Sequence, residues 1–418
     1  MVLLKANTNE VVDIVKKKKK KYLVFKNTYA LQIFFTLSIF NVFQFGVGLS
    51  GVLMAIFLFL LFFIMEKRSI TIDINHILIF LFWICTAIST LLSNVVAPER
   101  DIITLLIFVL FFIFSTGVMY GKEEIKLLLN TLILLACLAS LNIIWNFLND
   151  FTYGWQRYSL SVLHVYRDPN YVSAFLTPAV AIIIYSLLMY KKKLKRKITL
   201  IIALLLIVSG ILTTGSRAAF ITVLLTMSLT VFFNIISVRN YQKLLKIIFY
   251  LLLMVLAWLF VKSFLPEFIL FRIIDFDSYT DDSRLLLWKE ALRFYGDSPL
   301  FGSGMNASSK FLFTIGLYNS HNIYIDLLID NGLIGFLLIM LAIIRFLIVK
   351  KGDRTLLMLV VTSCFFPLFF INGFNTASFW APLILCQILS NYSRKNTKGL
   401  IGLLNEFNEE DEFMSGNE

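Results

Sequence analysis

Long apolar runs separated by short polar breaks fill this chain from its first third to its last. They lie near residues 29–46, 47–65, 75–95, 101–120, 125–149, 168–190, 198–214, 218–236, 244–263, 321–349, 354–372 and 377–391. Most hold about 20 residues, the length an α-helix needs to cross a hydrocarbon core. The pattern predicts an all-α polytopic membrane protein with about 12 transmembrane helices.

The breaks are of two kinds, and the kinds alternate. Basic clusters stand at Lys16 to Lys21, Lys67 with Arg68, Lys122 with Lys126, Lys191 to Lys197, Arg239 to Lys246, Lys350 to Arg354 and Arg394 to Lys398. Lys and Arg near helix ends stay on the cytoplasmic side. The alternation therefore puts both termini in the cytoplasm and predicts a multi-pass protein of the inner (cytoplasmic) membrane. The other breaks, at Asn94 to Asp101, Asp150 to Arg167, the Thr213 to Arg217 corner, Phe264 to Ser320 and Asn372 to Thr376, then face outward.

Five regions follow from this order. Residues 1–28 form a basic cytoplasmic N-terminus, 29–263 transmembrane helices 1–9, 264–320 an extracytoplasmic loop domain, 321–391 helices 10–12, and 392–418 a cytoplasmic acidic tail. The loop between helices 9 and 10 is too long for a plain connector. Its aromatics, Phe268, Phe271, Phe276, Trp288, Phe294, Tyr295, Phe301 and Phe311, argue that it is structured. Within it, Asp282 or Ser283 can cap a helix over 284–295 with Leu285, Trp288 and Leu292 on one face, ended by Pro299 and Gly302-Ser303-Gly304.

Composition agrees with a lipid solvent: 59% of residues are hydrophobic and 15% charged, with a mean hydropathy of +0.82. The net charge of +12 gathers in topology clusters rather than along one face, which excludes nucleic acid as a partner. The polylysine block resembles a signal-peptide start, but the run after it continues without a cleavage site and reads as an uncleaved first helix. Cys85, Cys137, Cys364 and Cys386 fall inside apolar runs and read as small core residues. With three histidines in all, a His-rich metal site is excluded. The tail with Glu409, Glu410, Asp411 and Glu412 reads as a solvated end.

Three residues stand out as candidates for chemistry. Arg217, in Thr213-Thr214-Gly215-Ser216-Arg217, sits at an outward junction of two apolar runs, against the topology rule. At mid-membrane an Arg costs about 2 to 3 kcal/mol, so the position calls for either a function or a snorkelling interfacial side chain. Arg284 falls in the first turn of the loop helix, where a cation opposes the dipole; an anionic ligand would explain it, and an ion pair with Asp281 is the structural alternative. His321, in Asn319-Ser320-His321-Asn322, opens the next membrane helix. Two guanidinium groups that grip phosphate oxygens and an imidazole that accepts a hydroxyl proton suit the transfer of a sugar from a lipid diphosphate.

A second group surrounds them. In Tyr166-Arg167-Asp168-Pro169-Asn170-Tyr171, Asp168 suits an N-cap and Pro169 a first turn. Arg157 and Arg167, with Tyr153, Trp155, Tyr158 and Tyr166, exceed what a cap needs and suit sugar faces or the membrane interface. Asp275-Phe276-Asp277 resembles the Asp-x-Asp signature of metal-dependent sugar transferases, with plain surface carboxylates as the alternative.

Taken in order, the Tyr166 to Tyr171 opening, Thr214-Gly215-Ser216-Arg217-Ala218-Ala219, Arg284-x-x-x-Trp288-x-x-Ala291, Pro299-Leu300-Phe301-Gly302-Ser303-Gly304, His321-Asn322 and Asn331-Gly332-Leu333-Ile334-Gly335 resemble the O-antigen ligase and polymerase superfamily. The resemblance implies a GT-C-like membrane glycosyltransferase of polysaccharide biosynthesis, as for capsule or lipopolysaccharide. Such an enzyme takes saccharide from an undecaprenyl-diphosphate-linked oligosaccharide donor to a glycan acceptor, inverting and without metal or other cofactor. It implies catalytic roles for Arg217, Arg284 and His321, and substrate contacts for Arg157, Arg167, Asn170, Arg293 and Asn322. Arg293 followed by Gly304 is similar to a loop pattern of the polymerases, which would also take a chain-length regulator as partner. A ligase acting on lipid, protein or cell-wall acceptors, and a lipid-linked oligosaccharide flippase or transporter, are the alternatives. A transporter should line its helix interiors with charge.

Overall fold

The computed structural model describes residues 26–40, 44–45, 49–66, 68–93, 99–152, 157–162, 165–189, 194–236, 280–296, 298–396 and 399–400, with single positions at 248, 259, 263 and 267. Among them are thirteen α-helices: α1 (Lys26–Phe40), α2 (Gly51–Glu66), α3 (Ile74–Leu92), α4 (Glu99–Gly117), α5 (Lys122–Leu148), α6 (Pro169–Met189), α7 (Leu194–Thr213), α8 (Arg217–Ile236), α9 (Thr280–Tyr295), α10 (Ala307–Thr314), α11 (Ile323–Arg345), α12 (Arg354–Phe365) and α13 (Ala377–Lys395). A 3-10 turn, Phe366–Phe370, continues α12. Most of the predicted run at 244–263, the polylysine block, Asp275-Phe276-Asp277 and the acidic tail lie outside the described residues.

Each of the other predicted runs holds a helix, because a backbone in lipid must satisfy its own N–H and C=O groups. Five helices, Ile74–Leu92, Lys122–Leu148, Pro169–Leu187, Leu194–Thr213 and Ile323–Arg345, are long and apolar enough to cross a membrane, and four shorter apolar helices accompany them. The first run is shorter than its hydropathy predicts. α1 stops at Phe40, where Gly46 and Gly48 soon follow; beyond it β1 (Gln44–Phe45) pairs antiparallel with β2 (Leu49–Ser50). A second ladder joins β3 (Ser161–Val162) to β4 (Val165–Tyr166), so the all-α expectation holds apart from two short hairpins.

α6 is the most enclosed of the five spans, 78% buried over its apolar window against 33% for α7. It packs on α7, α8 and α12, while α3 packs on α4 and α11. α13 is buried from Ser378 to Ser393. Gln387 and Asn391 on it therefore face protein, where Gln387 donates to Asp73 and Asn391 at 2.8 and 2.9 Å.

One membrane helix is broken. At Gly332, φ is 64° and ψ −173°, inside the span of α11. The loop from Pro299 to Gly304 fills the break: Ser303 and Gly304 donate to the carbonyls of Ile329 and Asp330 at 2.9 and 3.0 Å, while Leu333 and Ile334 donate to Pro299 and Leu300 at 2.9 and 3.1 Å. Thus the backbone groups freed by the break are paired, as membrane depth demands. A side chain at Gly302 or Gly332 would collide with the other strand of this crossing. The two glycine motifs, 30 residues apart, are the two halves of one junction.

Candidate active site

The loop domain is bolted onto α3 and α11. Met305 donates to Thr90 Oγ1 at 3.0 Å, and Thr86 donates to Asn331 Oδ1 at 2.5 Å. The Asp330 carboxylate receives N–H donors from Asn306 and Ser308, each at 2.8 Å. α9 then lies against α10 and α11 through Ala291, Leu312, Ile325 and Ile329.

This contact turns the motif face of α9 inward, since positions 284, 288 and 291 recur at helical spacing. Ala291 is fully buried and Trp288 half-buried, whereas Leu285 and Leu292 are exposed. The expected Leu285–Trp288–Leu292 face is thus split: the leucines point away from the protein, as apolar residues do toward lipid. The helix also begins at Thr280, so Asp282 and Ser283 lie within it, and Arg284 stands past its first turn. The dipole conflict expected for Arg284 is correspondingly weaker. Its guanidinium carbon lies 5.6 Å from the centroid of the Phe370 ring.

His321 occupies a tight turn ahead of α11 with φ 50°, a left-handed conformation uncommon for a non-glycine residue. Its neighbours hold that turn. Trp288 Nε1 donates to Ser320 O at 3.0 Å, Ser320 Oγ donates to Asp326 Oδ1 at 2.6 Å, and Asn322 N donates back to Ser320 Oγ at 3.0 Å. Asn322, proposed from sequence as a substrate contact, is buried, and its amide oxygen caps α11 by accepting from Tyr324 and Ile325. Burial and the nearby Arg284 cation lower the His321 pKa below its ordinary value, while the Asp168 carboxylate pulls the other way. This environment favours the neutral imidazole over the charged one.

Asp168, whose charge acts on His321, stands at the opening of α6. It accepts from Asn170 N at 2.7 Å, as a capping residue does. The Asn170 amide oxygen in turn accepts from Ser216 Oγ and from Arg157, both at 3.0 Å. Arg157 also donates to Thr214 O at 3.3 Å. Arg217 follows Ser216 directly and starts α8 with a half-buried side chain. Packing thus joins α9 to the start of α11, hydrogen bonds join the start of α6 to the start of α8, and the charge of Asp168 acts between the two pairs. Tyr171, next to Asn170, donates to Asn372 O at 2.7 Å and closes the ring to the turn after α12.

Residues 202–340, about one third of the chain, match the family described as O-antigen ligase. Over that stretch the chain is similar to the O-antigen ligase family. No curated protein and no solved structure matches the chain. The matched segment contains Arg217, Arg284, His321 and both halves of the glycine junction, while Arg157, Arg167 and Asn170 lie outside it.

Of the further residues singled out from sequence, Arg167 is half-buried, and its Nε is buried without an acceptor among the described residues. Burial lowers its pKa to about 10, still a cation at neutral pH. Arg293 lies apart: it makes an exposed ion pair with Glu290 at 2.6 Å, nine residues and roughly 13 Å of helix from Arg284. Tyr158 donates to Asp150 Oδ1 at 2.8 Å and braces the segment, ahead of β3, that carries Arg157. Sequence reasoning did not single out Ser320 or Asp326. An acidic residue one turn into an apolar helix, five positions after a candidate His, was the signal available.

Proposed function

We propose that this protein is a polysaccharide polymerase of the outer face of the cytoplasmic membrane. It moves saccharide from an undecaprenyl-diphosphate carrier to an acceptor glycan, with inversion at the anomeric carbon and without a metal. The reading is carried by one observation: the His321 imidazole feels the charges of both Arg284 and Asp168, and Asp168 is hydrogen-bonded through Asn170 and Ser216 to the Arg217 corner. The alternation of basic breaks supports the orientation, with the loop domain outside and the basic end in the cytoplasm.

In this reading a hydroxyl oxygen of the acceptor attacks the anomeric carbon and gives its proton to the neutral imidazole of His321. The bond from the anomeric carbon to the phosphate oxygen breaks, and its electron pair leaves with the diphosphate. Arg217 and Arg284 stabilise that growing charge through paired N–H donors, which act most strongly in a partly dry site. Arg157, Arg167 and Asn170 orient donor or acceptor, and Asn322 supports the reading as the cap that sets the His321 turn. Arg293, exposed on α9, would meet the glycan away from the reacting carbon.

The family description favours a second reading, transfer of a finished glycan to another acceptor by a ligase. One experiment separates them: purified protein incubated with a defined lipid-diphosphate oligosaccharide. Products longer by whole repeats establish the polymerase; transfer only to an added second acceptor establishes the ligase. Absence of any product with either would overturn both in favour of transport.

A further inference from the structure

At the opposite, basic end, a cavity of about 330 Å³ opens between the turn after α4 and the last turns of α13. Val118, Met119 and Ile388 form its apolar wall, and Asn391, Lys395 and Asn396 its polar side. None of these residues belongs to the site described above.

The polar side is unevenly satisfied. The Asn391 amide is used on both atoms, donating to Thr116 O and accepting from Gln387, each at 2.9 Å. Lys395 Nζ donates to Thr71 Oγ1 at 2.8 Å and to Met119 S at 2.9 Å, both neutral. Among the described residues it has no carboxylate partner, unlike its neighbour Arg394, which lies 3.4 Å from Asp73. Nor does Lys395 serve the carbonyls that end a helix: Asn396 N–H takes Tyr392 O, and Arg394 serves Arg345 O and Ile348 O. The ammonium is held over the cavity by neutral groups, beside the Asn396 amide.

We propose that this cavity binds a phosphate group, carried by a lipid or free. A basic pocket between membrane helices at the cytoplasmic end suits an anionic headgroup, and the apolar wall suits the chains attached to it. The ammonium meets the phosphate charge, and the side-chain amide of Asn396, not its backbone N–H, supplies a donor at its side.

The test uses the full chain in detergent micelles, with phosphatidylglycerol, phosphatidylcholine and inorganic phosphate as probes. Native mass spectrometry should find phosphatidylglycerol retained over phosphatidylcholine. Lys395→Met should reduce that adduct at least fivefold, and Lys351→Ala, at an exposed lysine of the same end, should leave it intact. Asn396→Trp, which fills the cavity and keeps the charge, should reduce it as well, so the result does not hang on one variant. A melting temperature raised by inorganic phosphate in the wild type but not in Lys395→Met would identify free phosphate as the ligand. Binding of both probes unaffected by Lys395→Met, or lost equally in Lys351→Ala, would overturn the proposal.

Discussion

The two ends of the bundle use charge in opposite ways. At the basic end, carboxylates neutralise arginines between elements. Arg68 reaches Glu66 at 2.9 Å and Glu124 at 3.0 Å, both largely buried, and Asp73 holds His76, Gln387 and Arg394. At the loop-domain end, Asp168, Asp326 and Asp330 accept from backbone N–H groups and a hydroxyl. None of these three forms an ion pair with an arginine among the described residues. Paired charges at one end lock helices together; at the other, these carboxylates shape turns and caps. The same residue types thus build architecture at one end and a candidate site at the other.

The comparison breaks most sharply at the arginines of the loop-domain end. Arg284→Lys and Arg217→Lys should each lower product formation about 100-fold or more with unchanged membrane insertion, because charge remains while the paired donors are lost. Gel analysis of glycan product, normalised to folded protein, reads this out; full activity in either variant removes that residue from the site. Arg68→Ala should do the reverse. Leaving Glu124 buried and uncompensated should cost about 3 kcal/mol, seen as a lower melting temperature, with turnover per folded molecule unchanged.

Smaller effects sharpen the division within the loop-domain end. Asp326→Ala should reduce kcat about tenfold, an expected loss of roughly 1.4 kcal/mol in transition-state stabilisation, and leave KM for the lipid donor unchanged. It acts through Ser320 and the His321 turn and touches no substrate; a rise in KM alone would contradict that role. The smallest change concerns pH. Activity needs neutral His321, so it should fall as pH drops through a pKa below the ordinary histidine value. Asp168 raises that pKa; hence Asp168→Asn, which keeps a capping side chain, should move the acid limb of the pH–rate profile to lower pH. A limb that stays in place would separate Asp168 electrostatically from His321.

Much of this was legible in the chain because membrane helices are specified locally. A run such as 75–95 or 125–149 must be helical wherever it crosses lipid, so periodic hydropathy located helices before any contact was known. The caps at Asp168 and the turn at Gly302-Ser303-Gly304 are equally local, written in residue type and spacing. Sequence order could also nominate Arg217, Arg284 and His321, since ionisable residues at apolar junctions are costly and few. What local pattern could not decide was partnership. That Gly302 meets Gly332, that Asp326 supports the turn before His321, and that Asn322 is spent on a cap depend on groups distant in sequence or on competition among several acceptors. The inward face of α9 was misjudged for the same reason: in lipid, leucine may lie outside, so apolarity alone does not say which side faces protein. Only the packed structure chooses among such partners, because every backbone and side-chain group must be satisfied at once.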